Sequence, residues 1–132
     1  MPRQTPETAT IRVMVVDDTD HVREMLATML ELDGFKVVAK VASGQAAVDG
    51  VTKASPNVVV MDYKMPDMDG ITATKKVREL LPGVGVILYT AYLDDELEVK
   101  AREAGAALCL GKVEGLEQLE RRISELCIEL MT

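Results

Sequence analysis

Five short runs of almost unbroken apolar residues punctuate this chain, and each is followed by a segment with helical spacing. The runs are IRVMVV (11–16), FKVVAKV (35–41), NVVVMD (57–62), VGVILYT (84–90) and AALCL (106–110). They are too short for helices and rich in β-branched residues, so they read as strands. Between them, HVREMLATMLEL (21–32) places Val22, Met25, Leu26, Met29 and Leu30 at helical spacing, with Asp20 or Thr19 as cap and Gly34 as a left-handed stop. GQAAVDGVTKA follows Ser43 as cap and ends before Pro56. GITATKKVRELL (70–81) presents Ile71, Thr74, Val77 and Leu81 on one face and closes at Pro82-Gly83. DDELEVKAREAG (94–105) has an acidic first turn, suited to the helix dipole, and a thin apolar stripe. GLEQLERRISELCIEL (115–130) is the last helix.

Strands alternating with helices imply a parallel sheet built from βαβ units with right-handed crossovers. Strands apolar on both sides imply helices on both faces of that sheet. At 132 residues the chain fits one domain, residues 11–132, preceded by a polar arm at 1–10 expected to be flexible. The net charge of −7 with scattered Lys and Arg, and only 3% aromatics, argue against nucleic-acid binding. No apolar run approaches a bilayer span, no secretory leader is evident, and Cys109 and Cys127 make no disulfide framework. A cytoplasmic protein is expected.

All strands of such a sheet end on one edge, where ligands gather. Strand one delivers Asp17 and Asp18 there, strand three Asp62, strand four Thr90, and strand five Lys112. Two like charges ~4 Å apart repel by about 4 kcal/mol at an effective dielectric near 20. Three carboxylates must therefore share protons or hold a cation. An all-oxygen set without His or Cys favours Mg²⁺ or another hard divalent ion such as Mn²⁺. An aspartate can itself take up a phosphoryl group, and an ammonium and a hydroxyl can serve its outer oxygens.

The set VMVVDD (13–18), VVVMDYKMPDMDG (58–70), ILYTA (87–91) and GAALCLGK (105–112) resembles the receiver domain of bacterial two-component response regulators, over about residues 11–130. The resemblance implies a flavodoxin-like, doubly wound (βα)5 fold with strand order 2-1-3-4-5. It implies that Asp62 accepts a phosphoryl group from a phosphohistidine on a sensor histidine kinase or phosphotransfer protein. It implies that Asp17, Asp18, Asp62 and the backbone carbonyl of Lys64 hold Mg²⁺. Thr90 would bind a phosphoryl oxygen and move toward it, Lys112 would pair with the phosphoryl group or Asp62, and Pro66 and Gly70 would shape the intervening loop. Such a domain is a phospho-acceptor rather than an enzyme acting on other substrates. Its activated form would control an output domain or protein partner, in some cases as a homodimer.

Two positions depart from that family. Val113 stands where Pro usually follows the Lys through a cis bond, so a trans Lys112–Val113 bond and a rearranged loop 111–115 are expected. Cys109 stands where an aromatic usually turns inward. Tyr89 and Tyr92 are nearby, and Tyr92 can take part in output. Lys64 and Tyr92, each two residues past Asp62 and Thr90, have the bulk to restrict water and slow dephosphorylation.

Blander readings apply elsewhere. Asp67 and Asp69 suit turn formation, His21 a surface position, Cys109 a small buried hydrophobe, and Met25, Met29, Met61 and Met65 core or loop filling. Leu116, Leu119, Ile123, Leu126 and Leu130 read first as a core-facing stripe, with a coiled linker or dimer contact as the sharper alternative. A haloacid-dehalogenase-type phosphatase also uses a strand-end Asp, Mg²⁺ and a Lys, but wants an acid where Lys64 stands. A flavodoxin-like cofactor binder wants amides and hydroxyls where DDTD stands.

Overall fold

A computed structural model describes residues 11–131, with side chains described as far as Ile128. The expected arm at 1–10 lies outside the described residues. Five strands alternate with five helices: β1 (Arg12–Val16), α1 (Asp20–Leu32), β2 (Lys36–Val41), α2 (Gly44–Ala54), β3 (Val58–Met61), α3 (Gly70–Leu80), β4 (Gly85–Thr90), α4 (Asp95–Glu103), β5 (Leu108–Gly111) and α5 (Leu116–Met131). A 3₁₀ turn, Lys112–Glu114, joins β5 to α5. The sheet is parallel throughout, in the order β2-β1-β3-β4-β5.

Alternation along the strands sorts the core into two layers. Val13, Val15, Val58, Val60, Ile87, Tyr89 and Leu110 pack with Leu26 and Leu30 of α1 and with Leu119, Ile123 and Leu126 of α5. Met14, Val16, Val59, Met61, Val86, Leu88 and Cys109 pack with Ala47 and Val51 of α2, Ala73 and Val77 of α3, and Leu97 and Ala101 of α4. Both faces of β3 are covered, so all four of its side chains are buried. Each fully buried Val or Met contributes about 1.5–3 kcal/mol. β2, at the edge, is only partly covered.

The helices begin and end as their local chemistry dictates. Ser43 Oγ accepts from Ala46 N, Asp69 Oδ1 from Thr72 N, and Asp94 Oδ1 from Leu97 N, each satisfying an otherwise orphaned first-turn donor. Thr19 occupies the cap position of α1 without a side-chain bond. Gly34, with φ of 97°, turns the chain out of α1, and Phe35 N then bonds back to Leu30 O.

The structure corrects three expectations. Met25 and Met29 are 57% and 41% exposed, because the face of α1 that meets the sheet is centred on Leu26, Ala27 and Leu30. Strand β5 starts two residues later than its apolar run. Ala106 N bonds to Ala101 O in the turn that ends α4, leaving Ala106 outside the strand. In α3, Ala73 and Gly70 are buried beside Thr74 and Val77, while Ile71 and Leu81 are only half-buried. In α5, Leu119, Ile123 and Leu126 face the core, as the first reading of that stripe expected, and the side chain of Leu130 lies outside the described residues.

Candidate functional site

The carboxyl edge of the sheet is assembled by strand register. Val16 pairs with Met61, so the next residues, Asp17 and Asp62, leave the sheet side by side. Their backbones stay in the ladder: Asp17 N donates to Val41 O at 3.1 Å and Asp62 N to Val16 O at 3.0 Å. Thr90 pairs with Gly111, which places Lys112 one step beyond it on the same edge. Four greasy strands thus hold these side chains on rigid backbone.

Asp17 and Asp62 are buried, and Asp18 is exposed. One carboxylate oxygen from each lies within 4.8 Å of the others. Lys112 Nζ donates to Asp17 Oδ2 at 3.0 Å and stands 3.7 Å from Asp62 Oδ1. Asp17 Oδ1 also accepts from Thr19 N at 2.9 Å, and Asp62 Oδ1 from Tyr63 N at 2.9 Å.

Burial pushes the Asp62 carboxyl up to about 6; the Lys112 ammonium and the Tyr63 amide oppose this, and the charges of Asp17 and Asp18 add to it. At neutral pH the group is therefore mostly ionised but costly to keep so. Burial pulls the Lys112 ammonium down, yet the Asp17 hydrogen bond and the charges of Asp62 and Asp17 outweigh it and leave the group raised. Lys112 thus meets two of three clustered carboxylates, while the ammonium of Lys64 at the cavity rim lies over the Tyr92 ring. That excess of negative charge, offered entirely through oxygen, fits a hard divalent ion.

Asp18, Thr19, Asp62, Lys64, Met65, Pro66, Ala91, Tyr92 and Lys112 line an open cavity of about 500 Å³ over these groups. At ~30 Å³ per water, it has room for a hydrated ion and a phosphoryl group together. Thr90 reaches the same edge but is fully buried, and its Oγ1 accepts from Tyr92 N at 3.1 Å. It is not part of the cavity lining.

The loop after β3 is held by two further aspartates. Asp67 accepts from Gly44 N and Gln45 N at 3.2 and 2.7 Å, tying the loop to the start of α2, and these amides keep its carboxyl low. Asp69 caps α3. Both are thus turn and cap residues, as their sequence context suggested. Gly70 is required by close approach: a methyl group there would collide with the Asp62 carbonyl oxygen and sit 2.8 Å from Leu88 Cδ1.

No peptide bond among the described residues is cis, so Lys112–Val113 is trans. The loop is a 3₁₀ turn closed by Gly115, with φ of 88°, and Val113 is exposed. Cys109 is buried against α4, and burial pushes its thiol up to about 11, as for Cys127. Tyr89 lies in the other layer, against α5, and so cannot replace a ring at position 109. Tyr92 is exposed at the cavity mouth. The ammonium of Lys64 sits 4.8 Å from the centroid of its ring, a contact that sequence alone did not reveal. The position two residues past Asp62 is this lysine, so the general acid of a phosphatase is missing there. No helix among the described residues is long and apolar enough to cross a membrane.

Residues 13–124 match the family model described as response regulator receiver domain. The chain is 37% identical over 114 residues to response regulator GacA of Pseudomonas viridiflava, covering 86% of this chain and 53% of that protein. It is 37% identical over 95 residues to chemotaxis protein CheY of Bacillus subtilis (strain 168), covering 72% of this chain and 79% of that one. It thus spans about half the length of GacA but most of CheY. Among solved structures, a two-component response regulator of the LuxR family from Aurantimonas sp. SI85-9A1 superimposes with a TM-score of 0.87 at 30% identity. That match covers 91% of this chain and 86% of the other.

Proposed function

The chain belongs to the response regulator receiver domain family, and from that membership we propose that Asp62 is its phosphoryl acceptor. The donor is a phosphohistidine on a sensor histidine kinase or a phosphotransfer protein. A carboxylate oxygen of Asp62 attacks phosphorus, the P–N bond breaks, and the imidazole departs with a proton from solvent. The product is an acyl phosphate on Asp62. The observation that carries this reading is the meeting of Asp17, Asp18 and Asp62 within 4.8 Å, with Lys112 between two of them.

Asp17, Asp18, Asp62 and the backbone carbonyl of Lys64 would hold Mg²⁺, or Mn²⁺ in its place. The ion would neutralise charge on the phosphoryl oxygens. Lys112, already poised between Asp17 and Asp62, pairs with the phosphoryl group once it arrives. Thr90, whose Oγ1 accepts from Tyr92 N–H, shifts to donate its hydroxyl to that group. Positioning supplies most of the rate, since every participating side chain rests on a strand end.

Phosphorylation then changes how the domain meets an output domain or a protein partner, in the cytoplasm. The domain comprises residues 11–132. The test is incubation with Mg²⁺ and acetyl phosphate, or with a phosphorylated histidine kinase. An acid-stable, base-labile adduct on the wild type and none on Asp62→Asn is the expected result. Equal labelling of the two proteins overturns the assignment.

A further inference from the structure

We propose that Lys64 and Tyr92 form a latch across the mouth of the acidic site, and that phosphorylation of Asp62 releases it. The inference rests on the reading of Asp62 as phosphoryl acceptor.

The latch joins two loops that the sheet brings together. Lys64 follows β3 and Tyr92 follows β4, and the ammonium lies over the ring at 4.8 Å. Both residues are exposed. Both line the acidic cavity, and both also line a neighbouring one bounded by Tyr63, Asp94, Glu96, Leu97 and Lys100. The pair is therefore the partition between the phosphoryl site and the start of α4.

Two attachments hold Tyr92. Its ring carries the Lys64 ammonium, and its backbone N–H donates to Thr90 Oγ1. A phosphoryl group on Asp62 attacks both at once. It brings a dianion into the cavity that Lys64 lines, and a full negative charge draws an ammonium more strongly than a ring quadrupole does. It also draws the buried Thr90 side chain toward the cavity, and that displacement carries Oγ1 away from the Tyr92 N–H it accepts from. The aromatic is thereby freed, and the partition toward α4 opens. Cys109 is small, Tyr89 is locked in the opposite layer and Tyr63 packs on the inner core cluster, so Tyr92 is the exposed ring that a cation at the cavity mouth holds.

The test uses the full chain with ring-¹³C tyrosine. Three tyrosines are present, and Tyr92→Phe identifies the Tyr92 signal by its loss. Spectra are taken before and after Mg²⁺ and acetyl phosphate, with phosphoryl incorporation measured by intact mass on the same samples. On phosphorylation, the Tyr92 ring signal of the wild type shifts toward the position it holds in unphosphorylated Lys64→Gln. In Lys64→Gln, phosphorylation adds little further shift from loss of the cation. Lys64→Arg, which keeps a cation over the ring, restores the wild-type response. An unmoved Tyr92 signal in stoichiometrically phosphorylated protein overturns the latch. So does a shift of the same size in Lys64→Gln. Absence of any adduct on the wild type overturns the acceptor reading, and the latch with it.

Discussion

Two sets of aspartates lie close together in this molecule and are held in opposite ways. Asp67 and Asp69, in the loop after β3, are exposed and satisfied by backbone amides: Asp67 by Gly44 and Gln45, Asp69 by Thr72. Asp17 and Asp62, at the strand tips, are buried against like charge and share one ammonium. The first set serves the fold through its amide hydrogen bonds. The second is a charge that the fold tolerates. Backbone amides lower the Asp67 carboxyl, whereas burial raises that of Asp62 to about 6. Residue type is the same, and Asp62 too accepts a backbone N–H, from Tyr63; burial and neighbouring charge set it apart.

That contrast breaks most sharply if Asp62 is made neutral. Raising a carboxyl from 3.8 to about 6 corresponds to a cost of roughly 2–3 kcal/mol when it must be ionised. The folded chain keeps its proton between pH ~4 and ~6 while the unfolded chain loses it, so this group makes stability fall as pH rises through that window. Asp62→Asn is therefore expected to stabilise the metal-free protein by roughly 2–3 kcal/mol at pH 7.5, with the gain shrinking to nothing near pH 4. Urea unfolding in EDTA across that range measures it. A variant less stable than wild type at pH 7.5 would mean that Asp62 is held like Asp67.

Adding the ion should remove the strain from the other side. Mg²⁺ at a hundred times its dissociation constant stabilises a protein that binds it only when folded by about 2.7 kcal/mol. Thermal melts at pH 7.5 should rise with Mg²⁺ for the wild type and much less for Asp62→Asn. Asp67→Ala should retain the whole Mg²⁺ response, because its carboxylate faces α2. Equal Mg²⁺ responses in wild type and Asp62→Asn would place the ion elsewhere.

The two sets meet at Gly70, where α3 begins against the backbone of Asp62. A methyl group there collides with the Asp62 carbonyl oxygen. Gly70→Ala is expected to cost about 1–3 kcal/mol, the usual range for overpacking. It should also slow phosphorylation by moving the tip of β3. Chemical denaturation and acetyl phosphate labelling read the two effects. A destabilised protein with wild-type labelling would show that the loop absorbs the methyl without moving Asp62.

Most of this architecture was legible because burial on both faces writes itself as unbroken apolar runs, and because parallel strands must all end on one edge. That logic alone places Asp17, Asp18, Asp62 and Lys112 on a shared edge. It did not reveal that Met25 and Met29 stay exposed, since an apolar stripe does not state how wide a face the sheet will cover. Nor did it place the start of β5, where a helix-ending turn at Gly105 and Ala106 competed with the strand for the same apolar residues. The Thr90–Tyr92 bond and the Lys64–Tyr92 contact depend on the conformation of two loops distant in sequence, and pattern and spacing carry no record of that.

Asp69 gives the smallest expected effect and the cleanest separation of the two sets. Its carboxylate accepts from Thr72 N at 2.8 Å and touches nothing in the acidic site. Removing a cap of this kind costs about 1 kcal/mol, because the first-turn amide loses its acceptor. Asp69→Ala should lose that much stability at pH 7.5. Phosphoryl incorporation should stay at the wild-type level, since neither the ion nor Lys112 uses this group. Asp69→Asn, which still offers an oxygen, should recover most of the stability. If Asp69→Ala instead abolished labelling while leaving stability intact, the division between capping and reactive aspartates would fail, and Asp69 would join Asp17 and Asp62 at the site.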